Sequence, residues 1–349
     1  MSNLPKYLYA KNSIVDRIKK GIIVDKLPGE RVLATELGVS YMTIRKAVAE
    51  LVEEGILHKL TTKGTFVSNR KISPKATGNL GFFLDDKIKG GISSPYYSLI
   101  FKALEKHLKE KGYNLIMFTD FENLNPLTHQ KKIDGVIICC FPRLEEKIQE
   151  IKKFLPILLL DNLAKDKSIP SITIDNFNSC FESTDYLWNL GHRRIGFVSG
   201  LLDSNVCVER LEGYVSAINS HGLEKDKTLI YRGDYSYESG SKAAQYFLSL
   251  ENRPSAIMFA NDSMAIGAMK VIQEQGLKIP EDISIIGFDD IEIASKIFPS
   301  LTTNAAPIDK MAKKSVEIIT SAIKGEDIDF QHIIMPAELI LRESCQQKS

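Results

Sequence analysis

Two polar residues, Asn261 and Asp289, each come directly after a short and mostly apolar run. Asn261 follows residues 256–260, and Asp289 follows residues 283–288. Both runs are too short for a helix and suit strands that are buried on both faces. In open parallel sheets, ligands bind beyond the carboxyl ends of the strands, so the amide and the carboxylate are expected at one crevice. That pair suits a neutral ligand rich in hydroxyl groups.

The sequence between these two runs supplies the helix that would hold the strands side by side. Residues 264–275 repeat apolar side chains at helical spacing, and Gly276 ends the pattern. A right-handed crossover through such a helix leaves two parallel strands with adjacent carboxyl ends. The same alternation recurs from residue 80 onward, which predicts an α/β fold with doubly wound parallel sheets. The strands are too numerous for one ordinary sheet, so we expect two lobes.

Further side chains could complete a binding site at this crevice. Arg210 lies beside apolar residues of a predicted helix, and Asp175 ends a predicted strand. Each has an ordinary alternative, since most Arg side chains are surface cations and Asp175 or Asp289 could simply cap the next helix. Aromatic side chains that could form a wall, or equally belong to the core, are Tyr96, Tyr97 and Phe298. Carboxylates and a guanidinium beside an aromatic wall would suit a monosaccharide.

The N-terminal segment carries a basic charge that the rest of the chain does not share. Residues 1–72 hold 13 Lys and Arg against 7 Asp and Glu, whereas the remainder holds 32 against 37. A basic segment on an acidic body indicates contact with a polyanion, although a solvated surface would give the same bias.

The pattern of the basic segment predicts a helix, a helix–turn–helix and a β-wing. Ser40 follows a turn at Gly38 and can cap the third helix. That helix would bury Ile44, Val48, Leu51 and Val52 and expose Tyr41, Met42, Arg45 and Ala49. An exposed helix face with polar side chains near its start is what entry into the DNA major groove requires.

Five motifs of this segment resemble the winged helix–turn–helix of the GntR family across residues 4–69. They are Leu27-Pro28-Gly29-Glu30-Arg31, Gly38-Val39-Ser40, Thr43-Ile44-Arg45-Lys46-Ala47, Leu51-Val52-Glu53-Glu54-Gly55 and Gly64-Thr65-Phe66-Val67. The resemblance implies operator DNA as the partner, contacted by Arg31, Ser40, Tyr41, Thr43, Arg45, Lys63 and Gly64. Tyr41 stands where the family usually has Arg, and Lys63 follows Thr62 where a Gly-x-Gly wing tip is usual. Both departures bear on base preference.

Residues 80–344 resemble the effector domain of LacI/GalR-type regulators. The motifs are Gly191-His192-Arg193-Arg194-Ile195, residues 260–269, residues 279–290, residues 299–303 and residues 339–344. The resemblance implies a periplasmic-binding-protein-like domain with two lobes, three crossovers and a sugar between the lobes. The implied ligand-binding residues are Ser94, Tyr96, Asp175, Arg210, Asn261, Asp289 and Phe298. The combination with a GntR-type head is similar to that of bacterial arabinose repressors.

The predicted boundaries follow from these two resemblances. We expect a DNA-binding domain over residues 1–70, a linker over 71–79 and an effector domain over 80–349. The first lobe would contain about 80–175 and 304–327, and the second about 176–303 and 328–344. Relative to the family, residues 85–94 form a longer loop and residues 119–132 a shorter segment, which bears on the surface of the first lobe.

Other classes of protein explain the sequence less well. Asp175 and Asp289 could imitate the carboxylate pair of a glycosidase, but the sequence lacks a Gly-x-Ser-x-Gly elbow and a Gly-rich phosphate loop. An enzyme would also leave the basic head unexplained. A free sugar-binding protein is disfavoured because the N-terminus lacks the apolar core of a signal peptide.

We therefore expect a cytoplasmic transcriptional regulator, a repressor that a monosaccharide releases from operator DNA. The alternative effectors are a purine or a phosphorylated metabolite. No cofactor, metal or membrane segment is expected, because the five Cys and six His show no ligand spacing and no apolar run approaches the length of a membrane span. One winged module covers little DNA, so we expect a homodimer on a two-fold related site.

Overall fold

The computed structural model describes residues 5–19, 22–53, 56–60, 64–67, 77–85, 88, 90–119, 132–139, 144–164, 166–202, 204–223, 226–326 and 332–348. The chain divides into two compact units between Thr77 and Gly78, apart from the short segment 130–134. Most of the predicted linker, residues 71–76, lies outside the described residues, and so does most of the shortened segment 119–132.

Three helices and a two-stranded sheet form the N-terminal unit, which we call the head. The helices are α1 (Lys6–Lys19), α2 (Glu30–Leu37) and α3 (Tyr41–Glu53), and the strands are β1 (Leu57–Leu60) and β2 (Gly64–Val67). The two strands pair antiparallel. One core unites all five elements, and its fully buried members include Ala10, Ile14, Leu33, Ile44, Val48, Leu51 and Leu57. The predicted winged helix–turn–helix is confirmed.

Two residues set the turn between α2 and α3. Gly38 ends α2 with a φ of 63°, a left-handed conformation that a side chain would strain. Ser40 then begins α3, because its hydroxyl oxygen accepts a hydrogen bond from the Thr43 N–H at 3.2 Å. The Ser40 and Thr43 hydroxyls are also hydrogen-bonded to each other at 2.7 Å. The start of α3 is therefore fixed by its own first turn.

The backbone hydrogen bonding of the wing extends beyond β1 and β2. The chain just before α2 runs along the free edge of β2: the Leu27 N–H donates to the Thr65 carbonyl at 2.9 Å, and the Val67 N–H donates to the Asp25 carbonyl at 2.8 Å. These bonds satisfy backbone groups that an edge strand would otherwise leave to water. The wing and the helix–turn–helix therefore belong to one framework.

The first lobe of the larger unit is built on a parallel sheet of six strands. These are β3 (Asn79–Leu84), β4 (Asn114–Phe118), β5 (Gly135–Cys139), β6 (Ile157–Leu160), β7 (Ser171–Ile174) and β13 (His332–Met335), in the order β13-β7-β6-β5-β3-β4. The helices are α4 (Pro95–Glu110), α5 (Glu145–Lys152) and α10 (Ile308–Lys324). The strand order reverses between β3 and β5, and such a switch point opens a crevice at the carboxyl ends.

The second lobe repeats this arrangement. Its strands are β8 (Ile195–Ser199), β9 (Ile230–Arg232), β10 (Ala256–Phe259), β11 (Ser284–Asp289), β12 (Thr302–Ala305) and β14 (Glu338–Ile340), in the order β14-β12-β11-β10-β8-β9. Its helices are α6 (Asn176–Asn189), α7 (Asn205–Ser220), α8 (Tyr237–Ser249) and α9 (Asp262–Glu274). Only β14 is antiparallel to its neighbour. The predicted strand–helix–strand unit is β10, α9 and β11, with β10 and β11 parallel and adjacent.

The last crossover differs from the prediction. Residues 328–344 were assigned to the second lobe, but β13 pairs with β7 in the sheet of the first lobe. Only β14, two residues further on, joins the second lobe. A four-residue edge strand carries no sequence feature that identifies the sheet to which it belongs, and only its pairing with β7 in the structure assigns it to the first lobe. The first lobe therefore includes residues 332–335.

None of the helices in the described ranges is long and apolar enough to span a membrane.

Candidate ligand-binding site and DNA-binding surface

A cavity lies at the carboxyl ends of both sheets. It contains about 740 Å³ of empty space, including its open mouth, and both lobes contribute to its wall. Residues that end or follow β5, β6, β8, β9, β10 and β11 meet there, as the switch-point rule requires. The lining consists of Ile88, Ser94, Tyr96, Tyr97, Cys139, Asp161, Leu201, Ser204, Val206, Arg210, Tyr235, Asn261 and Asp289.

Arg210 is the one basic residue among these lining residues, and the second lobe fixes its orientation. Its Nε donates to the Asn176 side-chain oxygen at 2.9 Å, and its Nη1 donates to the Ala260 carbonyl oxygen. The guanidinium carbon lies 3.5 Å from the ring centre of Phe288, and Nη1 lies 3.9 Å from a carboxylate oxygen of Asp289. Because residues at the ends of β10 and β11 hold it, Arg210 is positioned before any ligand arrives.

Asp289 is held in the cavity by an unusual turn. Its φ is 112° and that of Asp290 is 57°, so the chain leaves β11 through two residues in conformations that side chains rarely adopt. Burial raises the pKa of Asp289 well above its usual range, against the opposing charge of Arg210. The carboxylate therefore lies in a site where an added hydrogen-bond donor would stabilise its charged form.

A second acidic residue, Asp262, supports that turn from behind. One of its oxygens accepts from the Thr303 hydroxyl at 2.6 Å, and the other accepts from the Ile291 N–H at 2.9 Å. Asp262 is fully buried, and burial raises its pKa to about 7. Gly287 makes room for it, since a Cβ at that position would lie 2.1 Å from the Asp262 oxygen. Asp262 thus connects α9, β12 and the turn that presents Asp289.

The first lobe contributes two buried polar atoms that lack a well-formed hydrogen bond among the described residues. They are the Tyr96 hydroxyl and one carboxylate oxygen of Asp161, which lie near each other. Burial raises the pKa of Asp161 to about 6, while the charge of Arg210 and hydrogen bonding from the nearby Tyr96 hydroxyl act in the opposite direction. A buried polar atom without a partner is costly, so both atoms indicate that a polar ligand belongs in the cavity.

Asn261 has a structural role as well as a place in the lining. Its oxygen accepts from the Met264 N–H at 3.0 Å and so caps α9, while its amide donates to the Tyr235 carbonyl at 3.0 Å. Tyr235 has a φ of 67°, and its ring lies where a Cβ on Gly200 would be. Asn261 therefore fixes Tyr235 in the wall and leaves part of its amide for a ligand.

Five of the seven predicted ligand-binding residues line the cavity, namely Ser94, Tyr96, Arg210, Asn261 and Asp289. Asp175 is not in the lining; its side chain caps α6 by accepting from the Asn178 N–H at 3.1 Å and from the Asn178 amide at 2.8 Å. Asp175 is thus a helix cap, the alternative to a ligand contact that the sequence left open for it. Phe298 is not in the lining either, and 85% of its surface is exposed. It therefore forms no wall of this cavity.

The predicted set omits Asp161 and Tyr235, both of which line the cavity. Asp161 directly follows β6, so the strand-end rule that identified Asn261 and Asp289 would also have identified it. Tyr235 follows β9 by three residues, and its left-handed backbone leaves no mark in the sequence. Tyr97, a candidate aromatic wall, is in the lining.

The described residues contain no group of three or more His, Cys, Asp or Glu placed to hold a metal ion. None of the cysteines in that part of the chain forms a disulfide. What the cavity offers is hydrogen bonding and shape.

On the head, the start of α3 forms the predicted DNA-binding surface. Ser40, Tyr41 and Arg45 are exposed, as is Arg31 at the start of α2, and Thr43 is half-buried. Gly64 is exposed at the start of β2 with a φ of 112°. Lys63 lies outside the described residues. The predicted buried stripe of α3 faces the core, so its opposite face is available to a partner.

A two-lobed domain with a ligand cavity between its lobes, in one chain with a winged helix–turn–helix, defines a ligand-responsive DNA-binding regulator. Comparisons with known proteins agree. Residues 6–67 match the bacterial regulatory proteins of the gntR family, and residues 184–345 match the periplasmic binding protein-like domain.

The chain is 34% identical to the HTH-type transcriptional repressor CytR of Escherichia coli K12, over 73% of this chain and 77% of that protein. It is 29% identical to the ribose operon repressor of Haemophilus influenzae, over 72% of this chain and 78% of that protein. The chain is also similar in structure to the solved complex of the transcriptional regulator CelR with cellobiose, with a TM-score of 0.71 and 23% sequence identity. The match covers 91% of this chain and 100% of the CelR chain, and it supports the fold.

The chain belongs to the family of LacI-type DNA-binding transcriptional repressors, and its head is of the gntR type. Its relatives are regulators of transcription and not enzymes. Operator DNA and a small-molecule effector are therefore its partners.

Proposed function

We propose that the effector is a neutral monosaccharide. The observation that carries this proposal is a group of buried polar side chains in one cavity: Tyr96 and Asp161, whose facing atoms lack a well-formed hydrogen bond, together with Arg210 and Asp289. Two carboxylates can each accept hydrogen bonds from adjacent hydroxyls, and Arg210 can donate to a ring or hydroxyl oxygen. The tyrosines supply apolar faces for the ring carbons.

The charge of the cavity argues against a phosphorylated effector. Asp161 and Asp289 carry two potential negative charges, and Arg210 is the one positive charge among the described lining residues. A phosphate would meet both carboxylates in a buried site, where like charges repel strongly. The relative named as a ribose operon repressor agrees with a sugar effector.

We further propose that the protein acts as a cytoplasmic homodimer and that the effector weakens operator binding. A single head presents only one recognition helix, whereas a two-fold dimer presents two at half-sites one helical turn apart. The cavity takes residues from both lobes, so a bound sugar would favour one relative orientation of the lobes. Coupling of this kind typically amounts to about 1–3 kcal/mol.

The test is a paired titration with a panel of pentoses, hexoses, nucleosides and sugar phosphates. Calorimetry identifies the effector, and the sugar affinity is then measured with and without saturating operator DNA. Linkage requires operator to weaken sugar binding by the same factor by which sugar weakens operator binding. A sugar phosphate as the tightest ligand would contradict the proposed effector. Tighter sugar binding in the presence of operator would show that the sugar strengthens operator binding, contrary to the proposal.

The dimer has a separate test. Sedimentation at micromolar concentration should give twice the mass of one chain, and a selected operator should contain two half-sites of opposite orientation. A stable monomer that occupies one half-site would contradict the dimer without affecting the effector.

A further inference from the structure

The first turn of α3 carries a large apolar side chain in an exposed position. Met42, the second residue of the helix, has 66% of its surface exposed, and the adjacent Tyr41 has 41%. Neither belongs to the core of the head. Exposed apolar side chains occur elsewhere in the head, at Tyr9 on α1 and Val32 on α2, but these do not lie on the recognition helix.

The surroundings of Met42 are basic. Arg45 lies three residues on, which places it on the same face of α3, and it is exposed. The first turn of α3 contains no acidic residue. Ala49, a further turn along that face, is exposed and small, so the face is slim enough to enter a groove. The charge of the head, 13 basic against 7 acidic residues up to residue 72, is complementary to DNA.

The base edges of the major groove include one apolar group, the C5-methyl of thymine. Apolar side chains on a recognition helix contact that methyl, whereas Arg and polar residues bond the donors and acceptors of the other edges. A methionine suits this contact because its side chain is long, unbranched and polarizable. Residues at the start of a recognition helix are those that reach base edges.

We propose that Met42 is a specificity-determining residue that reads a thymine methyl group in each operator half-site, with Tyr41 beside it. This inference rests on operator binding through α3. It goes beyond the implied contacts of the head, which do not include Met42.

The first experiment selects operator sites from a randomised duplex library with the full-length chain. The selected half-site should contain one or two invariant thymines near its centre of contact. A half-site without an invariant thymine overturns the proposal. Failure to enrich any sequence would overturn operator recognition itself, which separates the two failures.

The second experiment replaces each selected thymine with deoxyuridine, one position at a time. Uracil keeps the hydrogen-bonding edge and the pairing of thymine and lacks only the methyl group. Loss of one buried methyl should weaken wild-type binding about fourfold at the position that Met42 reads, the equivalent of about 0.8 kcal/mol. Unchanged affinity at every uracil position overturns the proposal.

The third experiment tests whether Met42 is the side chain that contacts the thymine methyl group. Met42→Ala should bind the thymine and uracil duplexes equally at that position, whereas Met42→Leu should retain most of the discrimination. Tyr9→Ala, an exposed apolar truncation on α1 and not on the recognition helix, should keep the full fourfold difference. Arg45→Ala should weaken binding to both duplexes by the same factor. A Met42→Ala variant that still discriminates thymine from uracil overturns the assignment.

Discussion

At the level of single residues, Asp161 and Tyr96 place in the cavity polar atoms that the rest of the described chain does not satisfy with good hydrogen bonds. A ligand that displaces water from the cavity and leaves such an atom unpaired loses about 1–3 kcal/mol. The site therefore selects for ligands that have polar groups opposite both atoms.

We predict that Asp161→Asn will stabilise the ligand-free protein at neutral pH and weaken sugar binding. The pKa of Asp161 is about 6 in the fold against 3.8 for an ordinary Asp, so folding favours its neutral form. That favourable contribution is complete below pH 3.8 and is lost as the pH rises through 6. Denaturant unfolding at pH 7 should give a gain of about 1–3 kcal/mol for the variant. A variant less stable than wild type would contradict the assigned cause.

The sugar affinity should depend on pH in the opposite direction. Sugar hydroxyls donate to the ionised carboxylate, so protonation of Asp161 competes with the ligand. Calorimetry should show wild-type affinity falling about tenfold between pH 7 and pH 5. Asp289 and Asp262 also have raised pKa values, so the control is the difference between wild type and Asp161→Asn. Identical pH profiles for the two proteins would exclude Asp161 from the contact.

Residues of the site were predictable from sequence where one physical rule applied. Asn261 and Asp289 follow apolar strands, and the position of parallel strand ends places both at a crevice. Asp175 follows a strand as well, yet it points its carboxylate at the next helix. The sequence pattern for a cap and for a ligand contact is the same, and only the tertiary fold distinguishes them. The left-handed backbone at Tyr235 is likewise set by tertiary packing.

At the level of elements, the turn after β11 depends on the helix behind it. We predict that Gly287→Ala will destabilise the effector domain by about 1–3 kcal/mol and weaken sugar binding together. The added Cβ would lie 2.1 Å from the Asp262 oxygen and 2.9 Å from Leu301, so Asp262 must release Thr303 or the turn must move. Chemical denaturation and calorimetry on the same samples measure both effects.

A second glycine in the same sheet provides the matched control. A Cβ on Gly196, in β8, would lie 3.2 Å from the Phe247 ring, a milder crowding that does not involve the turn. Gly196→Ala should therefore lower stability less and leave sugar affinity near that of wild type. Equal loss of affinity in both variants would mean that the effect comes from general loosening of the sheet.

Elements were predicted best where the periodicity was long or the strand was fully buried. The helix–turn–helix, β10, α9 and β11 all appear where the apolar pattern placed them. The assignment of residues 332–335 to the second lobe was wrong because exposed and half-buried residues alternate along β13, a pattern that fits the edge of either sheet. The pairing with β7 follows from the path of α10, which packs on the first lobe.

At the level of the whole molecule, the two compact units should respond separately to the effector. The single tryptophan, Trp188, lies in the effector domain, where the Arg193 guanidinium is 3.7 Å from its ring centre and the His221 ring stacks on it at 4.5 Å. We predict that a hundredfold excess of sugar over its Kd will stabilise the unit that Trp188 reports by about 2.7 kcal/mol. The head, which has its own core, should not be stabilised.

Urea titrations followed by two signals measure this difference. Tryptophan fluorescence follows the effector domain, and far-ultraviolet circular dichroism follows both units. The sugar should move the fluorescence transition and leave an unshifted component in the dichroism curve, while the mirror-image sugar should move neither. A common shift of both signals would show that the units unfold together.

The last two strands impose an order on the synthesis of the protein. β13 completes the sheet of the first lobe and β14 that of the second, with only residues 336–337 between them. Neither sheet is complete until the ribosome has passed residue 340, whereas the last strand of the head, β2, ends at Val67. Since chains fold from the N-terminus as they are made, translation that stops early yields a finished head on an unfinished sensor. Such a product would carry a folded DNA-binding head with no site at which the effector could act.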